Sequence, residues 1–352
     1  MSRKAKIAII SNLIRGGSVV YRDNVVDKIV LEHKEYFPRQ VSRSKNKLLN
    51  FVFYLKYIYF DLVIDYYRIA KILNSDINIE KVIVFQDGYI KAPYALGFLN
   101  KKSIYVLHEP PREFYEPLSL HAPTILSKMF NFVRIPIKFF DYYLTRKASV
   151  IISNSYYSEE VIKKTYDKQS VVIYPGIKKF LLGTKNKTRK RICISMGSLL
   201  PYKGHALTIE AISNIRKNRP VLIIIGDGTE ILKKELIDYS KKLGVKLILI
   251  KEVDEKRLES LYLTARVYVN SAYKEPFGMT SLEAVSLGCY LVTIDSGGTK
   301  ELKKIYKDKV QIFSNVKNAT ELIENCLLFK NTIPRHEKKF DWKYVAKKII
   351  NQ

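Results

Sequence analysis

Six short, nearly unbroken apolar runs in the second half of the chain constrain its fold more than any other feature. They are Cys193–Met196, Val221–Ile225, Val245–Ile250, Val267–Asn270, Leu291–Ile294 and Val310–Phe313. Each is β-branched and lacks the polar alternation of a half-exposed strand, so each reads as a strand buried on both faces. Segments of helical period lie between them: His205–Lys217, Glu230–Leu243, Glu255–Ala265, Ser281–Leu287 and Ala319–Phe329. Strands alternating with helices predict βαβ units and a parallel sheet.

The first half repeats the theme. Ile7–Ile10, Val82–Phe85, Ser103–Leu107, Val150–Ser153 and Val171–Tyr174 read as strands, with a helix from about Tyr21. With 352 residues, two α/β domains are expected rather than one. Their predicted bounds are 1–177 and 190–335, joined by a basic, polar stretch around Gly183–Lys190. A final segment, 336–352, carries Trp342, Val345 and Ile349 on one helical face. Leu48–Ile64 is apolar enough to suggest a membrane span, but Lys56 and Asp61 near its middle are costly in a bilayer. It reads instead as a packed or interfacial helix.

Charge narrows the partners. Lys and Arg number 61 against 34 Asp and Glu, a formal net of +27. Such a surplus favours phosphates, acidic lipid surfaces or nucleic acid, or is simply a solvated lysine-rich surface. The three cysteines, Cys193, Cys289 and Cys326, lie far apart in apolar runs. They read as buried hydrophobes, which suits a reducing cytoplasm. No apolar leader follows Met1. No D-x-D occurs and the five histidines are scattered, so no metal and no other cofactor is expected.

Open α/β sheets bind ligands outside the carboxyl ends of their strands, so the residues after each run carry the interest. Glu275-Pro-Phe-Gly-Met-Thr-Ser-Leu-Glu283 follows one of them. Gly278 permits a sharp turn, and a helix beginning near Thr280 offers free amides to a phosphate. Two carboxylates flanking such a seat suit hydroxyl-rich groups on either side of it, although they also read as ordinary acidic capping. Gly197-Ser-Leu-Leu-Pro-Tyr-Lys203 follows another run, and Lys203 could meet a diphosphate or be a solvated loop lysine. Gly226-Asp-Gly228 and Lys251-Glu-Val253 could wall a nucleobase, and Asp227 reads equally as turn chemistry.

Taken in order, Gly197…Lys203-Gly204, Ile225-Gly-Asp-Gly228, Glu275-Pro-Phe-Gly…Glu283-Ala, Gly288 and Ser296-Gly-Gly298 resemble retaining glycosyltransferases of the GT-B fold, family four. The first half adds Arg15-Gly16-Gly17, Val106-Leu-His108-Glu-Pro-Pro-Arg112 and Asn154-Ser155…Tyr174-Pro-Gly176, with Trp342 where the family's last helix returns to the first domain. The resemblance implies two Rossmann-like domains facing across a cleft, the first binding the acceptor and the second a nucleotide-diphosphate sugar. It implies metal-independent transfer of a hexose, from a UDP- or GDP-linked donor, with retention. Under it, Glu275 holds the donor sugar, Lys203 neutralises the diphosphate and Glu283 binds ribose. Backbone amides of Phe277, Gly278, Met279 and Thr280 meet the sugar and diphosphate. Gly197, Ser198, Gly226 and Val253 complete the donor side, and Gly16 and Gly17 approach from the other domain. His108 sits beside the reacting sugar as a positioning group, with Glu109 and Arg112 on the acceptor side. Where the family usually has Arg after the glycine, this chain has Ser198. That removes one expected cation, for which Arg15 is a candidate substitute.

Ile125–Leu144 interleaves Lys128, Arg134 and Lys138 with Phe130, Phe132, Phe139, Phe140, Tyr142 and Tyr143. That pattern suits a membrane interface, and equally a core helix with snorkelling cations. With the charge, it points to a lipid-linked or membrane-surface acceptor and a peripheral place on the inner face of the cell membrane. A soluble enzyme making a storage glucan or small glycoside is the alternative. A nucleic-acid binder would explain the charge but has no reading motif, so no nucleic acid is expected.

Overall fold

The computed structural model describes residues 6–14, 16–42, 44–116, 132–178 and 188–352. Two units divide it: Met1–Gly176 together with Trp342–Gln352, and Ile177–Asp341.

The first unit runs β1 (Lys6–Asn12), α1 (Gly17–Asp27), β2 (His33–Tyr36), α2 (Lys47–Lys56), α3 (Leu62–Ser75) and β3 (Ile79–Asp87). It continues α4 (Ala95–Phe98), β4 (Lys102–Val106), α5 (Arg112–Tyr115), α6 (Ile135–Lys147), β5 (Val150–Ser153), α7 (Tyr156–Tyr166) and β6 (Val171–Val172). Its strands form one parallel sheet in the order β2-β1-β3-β4-β5-β6. The central strands carry Ala8, Ile10, Val82, Val84 and Tyr105 into the core, all at zero exposure. A fully buried valine or isoleucine contributes roughly 1.5–3 kcal/mol, which is why such runs end up between helical layers.

The second unit runs β7 (Lys190–Met196), α8 (His205–Ser213), β8 (Val221–Ile225), α9 (Glu230–Lys242), β9 (Leu247–Ile250), α10 (Glu255–Thr264) and β10 (Ala265–Asn270). Then come α11 (Met279–Ser286), β11 (Tyr290–Ile294), α12 (Leu302–Tyr306), β12 (Val310–Phe313) and α13 (Val316–Cys326). Its sheet, also parallel, has the order β12-β11-β10-β7-β8-β9. Counted within the unit, that is the dinucleotide-binding strand order read from the far edge. The chain ends in α14 (Trp342–Ile350), whose Trp342, Val345 and Ile349 are buried and which belongs to the first unit. Two Rossmann-like domains are therefore present, as the alternation of runs predicts.

Several boundaries differ for local reasons. Helix α1 opens at Gly17, a turn before Tyr21, because Gly16 takes φ 92° and lets the chain swing straight into the helix. Helix α13 opens at Val316 because Asn315 caps it, its side chain accepting from the Asn318 amide at 2.9 Å. Helix α8 stops at Ser213, short of Lys217, and Arg219 Nε donates to the carbonyl of Ile215 at 2.8 Å. Strand β2 has no apolar run at all, and its place at the sheet edge explains that. The Leu48–Ile64 stretch is α2 and the start of α3 joined by a π-helical turn at Tyr57–Asp61, with Lys56 and Asp61 paired at 2.9 Å. Among the described residues, no helix is long and apolar enough to cross a membrane. All three cysteines are buried and free. Residues 183–187 of the expected linker lie outside the described residues.

Candidate functional site

In the second unit the strand order reverses between β7 and β10, so the crevice rule puts ligands outside their carboxyl ends. The loop after β7 is fixed from below. The Gly197 amide donates to the carbonyl of Ile225 at 3.0 Å, and the Leu199 amide to that of Asp227 at 3.0 Å. His205 is buried with Nδ1 3.2 Å from Ser195 Oγ and Nε2 3.2 Å from the Ser198 carbonyl. Burial lowers its pKa, so a neutral ring pins the Ser198 backbone.

This loop is locked to the one after β10. The Tyr273 amide donates to the carbonyl of Tyr202 at 2.8 Å. Gly204 (φ 70°) lies so close that a Cβ there would stand 2.2 Å from the Ser271 carbonyl oxygen. The result is that Lys203 and Glu275, 72 residues apart, meet with Nζ 2.5 Å from Oε2. Both side chains keep about a fifth of their surface exposed, at 22% each. They are thus held in place yet reachable by a ligand.

Glu275 is also held through its backbone. Its carbonyl accepts from the Gly298 amide at 2.8 Å. Gly297 (φ 82°) passes beneath, where a Cβ would stand 2.3 Å from the same oxygen. Two residues on, Phe277 buries its side chain and tilts against Phe340, so only its backbone faces a ligand. Helix α11 then opens after Gly278, with Met279 and Thr280 in its first turn. First-turn amides have no partner inside a helix, and the amino end carries partial positive charge. The Thr280 hydroxyl is taken by Tyr268 OH at 2.7 Å, anchoring the helix to β10. Asn270, the last residue of β10, donates to Ser281 Oγ at 3.1 Å and Thr299 Oγ1 at 3.0 Å. Glu283 lies further along α11, near Tyr262, whose hydroxyl donates to Met196 Sδ at 3.7 Å. Burial raises its carboxyl to about 7, with Lys178 pulling the other way.

On the proposed base side, Gly226 lines a hollow with Lys233, Ile237, Leu249 and Lys251. Asp227 is held below its ordinary pKa mainly by the Gly228 amide at 2.9 Å, with Lys251 and Lys233 adding to the effect, so turn chemistry accounts for it. Val253 sits half-buried, three residues past the end of β9.

In the first unit the reversal falls between β1 and β3. Asp87, at the end of β3, is buried and accepts from Asn12 Nδ2 and Tyr66 OH at 2.7 Å each, and from the amides of Tyr89 at 2.6 Å and Ile90 at 3.0 Å. Desolvation raises its pKa against those four donors. Gly16 and Gly17 start α1 after β1, whereas Arg15 lies outside the described residues.

His108 follows β4 and meets Tyr21 edge-on, ring centroids 4.4 Å apart at 70°. Its Nδ1 is buried without a hydrogen-bond partner among the described residues, and desolvation lowers the ring to about 4. It is therefore a neutral group. Glu109 and Arg112 pair with each other, Oε2 to Nε 2.9 Å. Of the basic and aromatic stretch, Lys128 and Phe130 lie outside the described residues. Arg134 corrects the surface reading: it is buried, donates to the Tyr89 carbonyl at 2.9 Å, stands 3.6 Å from Glu113 and stacks over Phe114. Phe132, Phe139, Phe140, Tyr142 and Tyr143 are exposed.

The structure adds His205, Asn270, Tyr262, Tyr268 and Tyr21 to the residues that the sequence singles out. Asn270 was the findable one, being a polar residue at the carboxyl end of an apolar run.

Residues 177–347 match the family model described as glycosyl transferases group 1. A GDP-Man:Man(3)GlcNAc(2)-PP-Dol alpha-1,2-mannosyltransferase of Dictyostelium discoideum is 22% identical over 200 residues, 51% of this chain and 40% of that protein. The GPI3 subunit of phosphatidylinositol N-acetylglucosaminyltransferase from Saccharomyces cerevisiae is 25% identical over 181 residues, 48% of this chain and 40% of that protein. The chain thus spans about two fifths of the length of these curated relatives. Among solved structures, sucrose-phosphate synthase of Thermosynechococcus elongatus aligns with a TM-score of 0.64 at 14% identity, covering 99% of this chain and 98% of that one. That likeness, with two six-stranded parallel sheets, is the GT-B fold.

Proposed function

We propose, from the match of residues 177–347 to the group 1 glycosyl transferases, that this chain moves a hexose from a nucleotide-diphosphate sugar to an acceptor hydroxyl with retention at the anomeric carbon. One observation carries the reading: Lys203 and Glu275, delivered by the two loops that flank the strand reversal, meet at 2.5 Å while staying partly open to solvent.

In the proposed reaction the bond from the anomeric carbon to the diphosphate oxygen breaks as the bond to the acceptor oxygen forms on the same face. The acceptor proton passes to the departing phosphate oxygen, so no protein base is required. Lys203 and the first amides of α11 meet the charge that builds on the diphosphate. Glu275 accepts hydroxyls of the donor sugar, and Glu283 those of the ribose. With Ser198 in the position of a usual Arg, Lys203 carries most of the cationic load on this side. His108, neutral at physiological pH, orients sugar or acceptor by hydrogen bonding. No metal takes part in this scheme.

The donor is UDP- or GDP-linked, and the acceptor is lipid-linked or lies at a membrane surface. Supporting the acceptor reading, α6 exposes Phe139, Phe140 and Tyr143, with Lys147 lying 5.0 Å over the Tyr143 ring. The names of the two curated relatives described above contain PP-Dol in one case and phosphatidylinositol in the other. Contact with a membrane would be peripheral, by an amphipathic surface attracted to anionic headgroups on the inner face.

A thermal-shift panel of UDP, GDP and ADP sugars tests the donor. A shift with a uridine or guanosine donor that Glu275→Gln weakens is expected, and no shift with any donor refutes the reading. Flotation with anionic vesicles tests the surface. Loss of flotation in a Phe139→Ser, Phe140→Ser, Tyr143→Ser variant is expected, and a wild-type protein that stays at the bottom favours a soluble glucan or glycoside acceptor.

A further inference from the structure

Trp342 opens α14, the segment that leaves the second unit and finishes the first. It is buried, with 4% exposure, and its indole packs against Gly176, where a Cβ would stand 2.5 Å from Trp342 Cδ2. It meets the edge of Tyr21 at 5.3 Å and 84°, and Tyr21 in turn meets His108 at 4.4 Å and 70°. Three aromatic rings thus stand in a row, each turned nearly at right angles to the next. Tyr21 is 1% exposed, and neither its hydroxyl nor the indole N–H of Trp342 has a hydrogen-bond partner among the described residues. Polar groups this deep normally find partners, so what holds these rings is ring-on-ring packing.

We propose that Trp342 is a positioning residue for His108, acting through Tyr21. The inference rests on the reading of His108 given above. Tyr21 also lies on α1, the helix that Gly16 and Gly17 open, so the same contact steadies the glycine loop. The far end of α14 has its own anchor: Lys81 Nζ donates to the Ile350 carbonyl at 2.9 Å, and Val345, Ala346 and Ile349 are buried between. A change confined to Trp342 therefore disturbs the row of rings without releasing the helix.

The test uses the full chain as Trp342→Leu, Trp342→Phe and Tyr21→Leu variants. Trp342→Leu and Tyr21→Leu are expected to lower kcat on the order of 10²-fold, the scale of a misplaced reacting group. Donor KM and nucleotide affinity should stay within about twofold. Trp342→Phe keeps an aromatic edge against Tyr21 and should recover kcat to within about threefold. The ring nitrogens of His108, followed by 15N resonance, should shift in both leucine variants and return in Trp342→Phe. Wild-type kcat in the leucine variants, a Phe variant as impaired as the Leu variant, or unmoved His108 nitrogens would each overturn the proposal. Should the wild type transfer no sugar from any donor, the function reading fails, and the nitrogen resonances alone still decide whether Trp342 governs His108.

Discussion

Each sheet reverses its strand order once, at β1/β3 in the first and at β7/β10 in the second, and the charges planted at the two reversals differ in kind. At β7/β10, Lys203 and Glu275 pair with each other and remain partly exposed. At β1/β3, Asp87 is sealed and surrounded by four donors. A half-open ion pair gains little stability, because water screens it. A sealed, fully satisfied carboxylate matters a great deal to stability once a partner is lost. The reversal in the second unit thus carries an ion pair open enough to meet a ligand, and the one in the first unit a carboxylate that holds the fold.

This contrast breaks most decisively at Glu275. Glu275→Gln should lower transfer on the order of 10³-fold while the melting temperature stays put. A matching fall in melting temperature would erase the distinction. Asp87→Ala should do the reverse, lowering unfolding free energy by about 3–5 kcal/mol because Asn12, Tyr66 and two amides lose their acceptor. Urea titration of that variant at wild-type values would count against a structural role.

Lys203→Ala comes next. It should weaken nucleoside diphosphate binding by roughly 10- to 100-fold, the worth of a charge-assisted contact, and calorimetry reads it directly. Unaltered affinity would remove Lys203 from the diphosphate.

The smallest effect sharpens the picture at Glu283. Its carboxyl ionises near 7 rather than at the ordinary 4.5, so below 7 the free protein holds a proton that a hydroxyl-accepting carboxylate must give up. Nucleotide affinity should therefore rise between pH 6 and 7.5 by something under about tenfold, then level off. Glu283→Gln should flatten that slope. A slope that survives the substitution belongs to another group.

Most of the fold was readable because buried parallel strands leave little that is polar in their runs. Strand β2, His33–Tyr36, escaped for the complementary reason: an edge strand needs only a backbone neighbour, and its middle side chains, Lys34 and Glu35, face water. The site was readable as two separate loops. That Lys203 and Glu275 touch was not, since it depends on Gly204 against Ser271 and Gly297 against Glu275, approaches fixed only once the sheet has formed. Arg134 shows the opposite error. Interleaved with aromatics it looks like a surface cation, whereas Glu113 and Phe114, twenty residues upstream, draw it inward. Local patterns report which face of an element is apolar; they do not report which distant group supplies a counter-charge.

The placement of α14 fixes an order of events during synthesis. The unit Ile177–Asp341 is contiguous, so it can finish as soon as its own residues have left the ribosome. The unit that begins the chain must wait for Trp342 and the helix behind it. At ~5–20 residues per second, that leaves the amino-terminal sheet incomplete for roughly 10–30 s after its own strands are made. What is translated first is completed last, and a chain released before Trp342 would carry a finished second unit and an unfinished first one.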